Sequence, residues 1–306
     1  MPDYRVPRVQ IVPQPDEQVS FQVNGSEKLR WHFGRRHPRP FFFPVIGPSG
    51  RSLTRMGHPA AANHDHHRSF WWGHRSINNV NYWEERGGTQ QIRQESWVHY
   101  QDGQDEAGMV VRLGWFDDHN VRQLQQELIA VYRPLENGEA WLELQTLFTP
   151  RAERQPLIQT NFGFLGMRMA ASISAHYGGG LLSNSEGREG EQNIFGRQAT
   201  WMDYSGPIIG DDWEGITWFD HPSNPNHPTS WHVRNDGWMS AAFCLRNGYT
   251  VVRNQPLRLR YGYHIHRGRV NRQRAETQRR TFSQSATWEV IRAESPWRVR
   301  LQRSGE

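Results

Sequence analysis

The chain has 306 residues but a single cysteine, Cys244, and, among its 36 basic residues, a single lysine, Lys28. One cysteine cannot form an intrachain disulfide, and it excludes a metal site built from several thiolates. The sequence also lacks a run of about 18 or more apolar residues, which a membrane-spanning helix requires. No apolar stretch of signal-peptide length marks the N-terminus. These absences predict a cytoplasmic protein that is not embedded in a membrane.

The excess of positive charge is small and is carried almost entirely by arginine. The formal net charge is +5, and acidic residues are interleaved with the arginines along most of the chain. The one clear basic run, residues 267–280, is explained by a solvated helix or arm at least as well as by phosphate contacts. We therefore expect no nucleic-acid partner.

Several common catalytic signatures are missing as well. The sequence contains no GxGxxG after a strand, no GxxxxGK[ST], no GxSxG and no HExxH. Dinucleotide, ATP, serine-hydrolase and zincin chemistry therefore have no support. Cys244 lies in the apolar segment AAFCL, which predicts a buried, inert thiol.

Helical periodicity is scarce, and short segments rich in β-branched and aromatic residues dominate instead. Strands are predicted at residues 19–23, 29–33, 108–115, 125–133, 141–149, 215–219, 240–243 and 257–266. Residues 136–138 predict a hairpin turn, and only residues 161–175 have any helical character, which Gly163 and Gly166 weaken. We predict an all-β fold, a large antiparallel β-sandwich with few short helices. It is expected to be one domain over residues 1–306, with peripheral ends at 1–20 and 295–306.

Residues 58–85 concentrate histidine, tryptophan and carboxylate more than any other part of the chain. If residues 63–68 are extended, His64 and His66 share one face. A third ligand from His58, His74 or a late strand would then complete a site that suits Zn or Mn. The alternative is a polar loop whose histidines are satisfied by hydrogen bonds. No cofactor is required by this pattern, and a divalent metal is possible.

Two further segments combine the same residue types. Residues 218–238 are rich in proline, which either makes a binding loop rigid or only turns the chain. In LRLRYGYHIH, residues 257–266, the alternation puts His264 and His266 on the same side of a strand. Burying the three segments separately would require three independent polar networks. We therefore expect residues 58–85, 220–232 and 264–266 to meet around one cleft on the concave face of the sandwich.

Five motifs resemble those of the soluble bacterial PmoA-like family, whose members are labelled methane oxygenase. The motifs are HDHHRSFWWGHRSINNVNYWEE, NSEGREG, WMDYSGPI, EGITWFDHPSNPNHPTSWHVRNDGW and LRLRYGYHIHRG. The resemblance covers about residues 40–268. The oxygenase label fits poorly, because particulate methane monooxygenase is a membrane complex and this chain has no spanning segment. The resemblance implies a fold similar to the galactose-mutarotase-like supersandwich and, since family members tend to occur beside sugar oxidoreductases, a role with sugars.

Residues and resemblance together predict a carbohydrate-active enzyme that acts on a glycoside or a modified, for example oxidised, sugar. Its reaction would be that of a glycoside hydrolase, lyase or sugar epimerase. Flat indoles suit the apolar faces of a sugar, and histidine with a carboxylate supplies acid–base chemistry near neutral pH. The alternatives are a non-catalytic carbohydrate-binding or accessory protein and a metal-dependent oxygenase, as the family label suggests.

The candidate residues for this chemistry come from all three segments. The predicted catalytic residues are His66, His67, His266, Glu84 and Asp220. The predicted substrate-binding residues are Arg68, Trp72, His74, Asn81, Trp83, His221, Asn224, Trp231 and His264. Trp71 and Trp218 are further candidates for the aromatic surface, and the predicted partner is a small-molecule sugar or glycoside.

Overall fold

Two eight-stranded antiparallel sheets dominate the computed structural model, which describes residues 6–57, 64–85, 91–293 and 299–305. The strands of the first sheet are β1 (Val9–Gln14), β2 (Gln18–Val23), β3 (Ser26–His32), β4 (Phe41–Val45), β5 (Phe70–His74), β11 (Gly163–Arg168), β15 (Trp231–Arg234) and β16 (Trp238–Ala241). Their spatial order is β1-β2-β3-β4-β5-β11-β16-β15.

The second sheet has the spatial order β12-β13-β14-β18-β9-β8-β7-β6. Its strands are β6 (Gln91–Gln101), β7 (Ala107–Phe116), β8 (Arg122–Pro134), β9 (Ala140–Pro150), β12 (Leu181–Asn184), β13 (Trp201–Ile209), β14 (Asp212–Asp220) and β18 (Leu257–Arg267). Two small sheets pair β10 (Arg154–Leu157) with β17 (Tyr249–Val252) and β19 (Trp288–Arg292) with β20 (Val299–Arg303). The helices are α1 (Ala175–Gly178), α2 (Glu191–Ile194) and α3 (Arg272–Gln284).

The predicted all-β sandwich with few short helices is confirmed. Each of the eight predicted strand segments overlaps a strand, and the predicted hairpin turn joins β8 to β9. The weak helical character of residues 161–175 was misleading, because their first half forms β11 between β5 and β16. Residues 272–280 of the basic run lie in α3, where Asn271 caps the first turn and Ala275 and Phe282 are buried, while Arg267 ends β18. A solvated helix with one apolar side therefore explains that run.

Side-chain alternation puts the main core between the two large sheets. Phe70 and Trp72 of β5 point into this core, and so do Tyr263 and Ile265 of β18. Trp71, between the first two, belongs to a separate aromatic cluster on the outer face of the first sheet. The outer face of the second sheet is covered by α3 and by the β19–β20 hairpin. Polar side chains from the two sheets therefore lie on opposite outer faces, with the core between them.

The chain ends also form strands. The N-terminal strand β1 adds Val9 and Ile11 to the main core, and β20 pairs with β19 near the C-terminus. One domain over the whole chain stays a prediction. None of the helices in the described ranges is long and apolar enough to cross a membrane.

Candidate functional site

A cavity of about 330 Å³ opens on the outer face of the first sheet, and we call it the His/Trp cavity. The residues that line it are His64, His66, His67, Trp83, Glu84, Phe162, Arg168, His232, Arg234, Asp236 and Trp238. Four of the eleven are histidines and three are aromatic, so apolar surface and polar groups meet in one depression. Sites for small molecules commonly have this composition.

Strand register explains why residues so far apart in the chain share this face. Arg168 of β11 pairs with Trp238 of β16, which also pairs with Arg234 of β15. Two residues earlier on β11, Gly166 pairs with Trp71 and with Ser240, and Ser240 pairs with His232. Directly paired residues point to the same side of a sheet. Arg168, Arg234 and Trp238 of the first row and His232 of the second line the cavity.

Gly166 makes room for the indole of Trp238. A Cβ built at residue 166 would lie 2.1 Å from Cη2 of Trp238, much closer than two carbon atoms can approach. The indole must therefore lie across the β11 backbone, next to the ring of Trp71 at a centroid distance of 5.2 Å. The same glycine that weakened a helix prediction in the sequence has a packing role in the sheet.

We expect Gly166→Ala to displace Trp238 and to destabilise the protein by about 1–3 kcal/mol, the usual cost of overpacking. Near-ultraviolet circular dichroism, which reports on packed indoles, should change along with the urea midpoint. Ser240→Ala is the matched control, because it alters the same row without adding volume at the indole. An unchanged aromatic spectrum in Gly166→Ala would contradict the packing role.

His67 lies between indoles at the base of the cavity. Its ring stacks on Trp238 at 4.9 Å and lies 5.3 Å from Trp71, and the side chain is 7% exposed. Burial, together with the neighbouring His66 and His64, lowers the pKa of His67 to about 2. His67 is therefore neutral at physiological pH, where it cannot act as a general acid.

The turn that carries these histidines corrects one expectation. Residues 64–66 are in a tight turn that the amide of His67 closes by donating to the carbonyl of His64 at 3.0 Å. The three imidazoles cluster with ring centroids 4.5–6.0 Å apart. The extended conformation expected for residues 63–68 is wrong at residues 64–66, where the chain reverses and brings His67 against the sheet, and Asn63 lies outside the described residues.

A buried ion pair forms one wall of the cavity. Arg168 is 1% exposed and donates two hydrogen bonds, of 2.7 and 3.1 Å, to the carboxylate of Asp236. Burial lowers the pKa of Arg168, and Asp236 partly opposes that effect. Such bidentate pairing fixes both side chains. Asp236, which is 28% exposed, is thereby held at the cavity with a defined orientation.

His232 adds a second neutral imidazole. Its Nδ1 lies 2.8 Å from the carbonyl oxygen of Asn161. A carbonyl only accepts, so Nδ1 must carry the proton and Nε2 is left as an acceptor. Burial lowers the pKa of His232 to about 4. The tautomer is thus fixed at neutral pH.

A second cavity, of about 290 Å³, adjoins the first, and we call it the Arg cavity. The residues that line it are Arg35, Arg36, His37, Pro38, Arg39, Tyr82, Glu84, Glu85, Gln91 and Ile92. Glu84 borders both cavities. The buried guanidinium of Arg39 donates to the carbonyls of Tyr82 and Trp83 at 3.0 and 2.8 Å. Arg39 therefore holds the segment that separates the two cavities.

Two predicted binding residues support this segment from outside the cavities. The side-chain oxygen of Asn81 accepts from the amides of Trp83 and Glu84 at 2.8 and 3.1 Å. Arg68 donates to both oxygens of Glu85, at 2.9 and 2.6 Å. Neither residue lines the His/Trp cavity, and both position residues that line one or both cavities.

Four aromatic candidates lie in the core. Trp72, Trp218 and Trp231 belong to the core between the sheets and are at most 2% exposed. His74 is fully buried and stacks on Phe164 at 5.1 Å. Their expected position in a ligand cleft is wrong, because strand alternation turns them inward while Trp71 and Trp238 point outward. Of the predicted tryptophan surface, only Trp83 lines the cavity.

The polar residues after β14 form a structural network. Asp220 accepts from the Asn224 amide, from Nδ1 of His227 and from the amide of Thr229, at 2.7–2.8 Å. His221 accepts from the buried Arg260 at 3.0 Å. Burial and Arg260 lower the pKa of His221 to about 4. These groups are occupied in holding a loop of the second sheet and do not line the His/Trp cavity.

The single-cleft prediction is wrong for the late strand as well. His264 and His266 point to the outer face of the second sheet, under α3. Each is within hydrogen-bond distance of a carboxylate, His264 of Glu139 at 2.9 Å and His266 of Asp203 at 2.8 Å. The core separates this face from His66. Both carboxylates belong to the second sheet, Asp203 to β13 and Glu139 to the turn between β8 and β9, and Arg274 of α3 also pairs with Glu139.

The predicted metal ligands are not assembled by the described residues. No group of three His, Cys, Asp or Glu side chains in residues 6–57, 64–85, 91–293 and 299–305 is arranged to hold a metal ion. His64 and His66 lie in the turn, and His74 points into the core. His58 lies outside the described residues. A metal stays a prediction.

Six residues of the cavity were not among the predicted site residues: Phe162, Arg168, His232, Arg234, Asp236 and Trp238. Arg168 has a signal in the sequence, since a charged residue in the apolar run GFLGMRM is costly unless it is paired. Asp236 and Trp238 lie in a motif that was recognised, but their direction depends on the β15–β16 register. Phe162 has no such signal.

Comparison with known proteins gives a family without an assigned function. The family model described as "Family of unknown function (DUF6807)" matches residues 18–280. This match gives no support to the PmoA-like label. No curated protein matches the chain.

Similar solved structures are distant. HI1317 is 11% identical, with 84% of this chain and 99% of that chain covered and a TM-score of 0.27. A GalM/aldose epimerase homologue from C. elegans is 8% identical, with 87% and 100% covered and a TM-score of 0.29. At this distance neither carries an argument about function.

Proposed function

We propose that the His/Trp cavity binds a carbohydrate and that the protein is a carbohydrate-active enzyme. The chain belongs to the DUF6807 family, whose function is unknown, and the proposal starts from that membership. One observation carries the proposal: Trp83, Trp238 and Phe162 line the same cavity as four histidines, two arginines and two carboxylates. Sugars present apolar C–H faces beside hydroxyl groups, so their sites pair flat rings with hydrogen-bonding side chains.

The cavity divides these tasks among its residues. Neutral His232 offers an acceptor for a sugar hydroxyl, while Asp236 accepts and Arg234 donates. Glu191 pairs with Arg234 at 3.1 Å and so restricts its position. A cavity of about 330 Å³ lies in the range typical of small-molecule sites. We therefore propose a ligand of one or two sugar rings.

We propose His66 and Glu84 as the acid–base pair, because both line the cavity. A glycosidic bond breaks, or a carbon beside a carbonyl inverts, when one group gives a proton and another takes one. His67 is a poor proton carrier at neutral pH, since its pKa is lowered to about 2 by burial. Its role in the proposal is to orient His66 and Trp238, which its ring contacts at 4.5 and 4.9 Å.

A non-catalytic carbohydrate-binding protein is the second candidate. It is favoured by the neutrality of His67 and His232, which suits hydrogen bonding without proton transfer. Turnover separates the two candidates. Incubation with glycosides and their oxidised forms, followed by product analysis, should give product that Glu84→Gln abolishes. Binding without any product would favour the second candidate.

Trp238→Ala is expected to weaken sugar binding by about 1–3 kcal/mol, a 5- to 150-fold rise in Kd, because it removes an aromatic surface of the cavity. Titration calorimetry over a panel of mono- and disaccharides measures this. Trp213→Ala is the matched control, since Trp213 is half-buried and lines neither cavity. Equal affinity for wild type and Trp238→Ala would refute the site.

We expect neither His67 nor His232 to exchange a proton when a sugar binds between about pH 6 and 8. The pKa values of His67 and His232 are lowered by burial to about 2 and about 4, so neither changes charge in that window. Calorimetric titrations in buffers of different ionisation enthalpy would detect proton uptake. Binding coupled to uptake of one proton by either residue is the contrary outcome, and His232→Asn would identify it.

A further inference from the structure

The Arg cavity gives the proposed carbohydrate site an unequal distribution of charge. Five arginines and three carboxylates line the two cavities together, and three of those arginines, Arg35, Arg36 and Arg39, lie in the smaller one. The carboxylate of Glu85 accepts two hydrogen bonds from Arg68 there and also lies 3.6 Å from the guanidinium of Arg39, so Glu85 leaves the charge of Arg35 and Arg36 unbalanced. In the larger cavity, Arg168 is paired with Asp236. Positive charge is therefore concentrated on the far side of Glu84.

The two outer arginines of this cavity are weakly engaged. Arg35 uses its backbone amide to bond Glu17 at 3.2 Å, and its guanidinium has no hydrogen bond or ion pair among the described residues. Arg36 lies 3.3 Å from Asp16, but both side chains are more than half exposed. Exposed pairs of this kind contribute little. Both guanidinium groups are therefore available to a ligand.

The imidazole of His37 lies beside these arginines in the Arg cavity. Nε of Arg36 donates to Nε2 of His37 at 3.4 Å, which requires His37 to be neutral at that nitrogen. Burial lowers the pKa of His37, and Arg68 and Arg36 lower it further, while Glu85 opposes them. At this imidazole the arginines therefore outweigh Glu85.

We propose, building on the carbohydrate function above, that the ligand is an acidic sugar whose oxyanion occupies the Arg cavity while its ring lies in the His/Trp cavity. Glu84 separates the two and would disfavour an anion on the ring itself, because like charges repel. Arginine is suited to the task, since its planar fork matches a carboxylate or a phosphate. The same chemistry is offered by a uronic acid and by a sugar phosphate.

The test compares glucuronate, glucose 6-phosphate and glucose by titration calorimetry on the full chain. At least one acidic sugar should bind 10-fold or more tightly than glucose, and which one does so identifies the carboxylate or the phosphate as the recognised group. Its affinity should fall when salt is raised from roughly 20 mM to 500 mM, because exposed charges are screened. Glucose binding should not change with salt.

Replacing Arg35 and Arg36 together, Arg35→Gln with Arg36→Gln, should remove the preference and leave glucose affinity unchanged. Arg154→Gln with Arg253→Gln removes the same charge from two exposed positions that line neither cavity, and should keep the preference.

Equal affinity for the three sugars in wild type would overturn the acidic-sugar inference while the carbohydrate proposal stands. If no sugar binds, the carbohydrate proposal fails. Inorganic phosphate, titrated alone, then decides the Arg cavity: binding that the double variant loses supports an anion site, and no binding overturns it.

Discussion

Lowering the pH from about 7 to about 5.5 is expected to reduce the free energy of unfolding by several kcal/mol. Burial lowers the pKa of five histidines from the ordinary value of 6.5. The pKa of His67 falls to about 2, and the pKa falls to about 4 for His74, His221, His232 and His264. Their stabilisation is fully present above pH 6.5, because neither state is then protonated. It is lost as the pH falls below 6.5, where only the unfolded chain takes up protons.

Each such histidine contributes on the order of 1 kcal/mol over this interval, so five of them approach the total stability of roughly 5–15 kcal/mol that is usual for a folded protein. His266 opposes the trend. The carboxylate of Asp203 raises its pKa despite burial, so its stabilisation is present below pH 6.5 and lost as the pH rises through the raised value. One group of opposite sign does not cancel five.

Urea unfolding followed by tryptophan fluorescence measures how the free energy of unfolding falls with pH. The titration covers roughly pH 7.5 to 5, because this range brackets the ordinary histidine pKa. His74→Phe should reduce the slope by about 1.4 kcal/mol per pH unit near pH 5.5, because one proton site is removed from the unfolded state. His119→Gln, at an exposed position, is the matched control and should keep the wild-type slope. A stability that does not change over this range would contradict the buried neutral state of these imidazoles.

Glu143→Ala is expected to destabilise the protein by about 3–5 kcal/mol. Glu143 is 1% exposed and accepts from Arg260 at 3.0 Å and from Arg303 at 3.1 and 2.7 Å. Arg260 is itself 2% exposed and donates to the carbonyls of Ser285 and Ala286. Removing the carboxylate leaves a buried guanidinium without a counter-charge, which is far more costly than losing a surface pair.

Chemical denaturation at about pH 7.5, where the five histidines with lowered pKa values are neutral, isolates this effect from the first. Glu95→Gln is the matched control, because the Glu95–Arg122 pair is partly exposed and should be worth only about 0.2–1 kcal/mol. Glu143→Gln, which keeps a hydrogen-bond acceptor, should lie between the two and serves as the second variant if Glu143→Ala does not fold. A loss below 1 kcal/mol in Glu143→Ala would show that Arg260 does not depend on its carboxylate.

The sequence by itself determined the fold class and the chemical character of the site. Alternation in LRLRYGYHIH was sufficient to define β18 and to put His264 and His266 on one side of it, because side-chain direction in a strand follows from position alone. Likewise, the unusual composition of residues 58–85 identified His64, His66, His67, Trp83 and Glu84, all of which line the same cavity. Local pattern therefore contained the strands and one part of the site.

Only the tertiary structure decided which side of the sandwich each segment rich in histidine and tryptophan faces. Trp71 and Trp72 are neighbours of identical chemistry, yet one belongs to the outer aromatic cluster and the other to the core. Their direction depends on which face of β5 meets the second sheet, and a shift of one residue would exchange them. The sequence carries that alternation but not its phase relative to another sheet.

The direction of each sheet's outer face also keeps His66 apart from His266. Both lie in polar, aromatic segments, but they are attached to different sheets whose outer faces point away from each other. Asp203 and Glu139 satisfy the late histidines locally through pairings between strands remote in sequence. Arg168 and Trp238 reach the cavity through the β11–β16 register. These partners are chosen by long-range strand pairing, and that is the information which composition and periodicity do not contain.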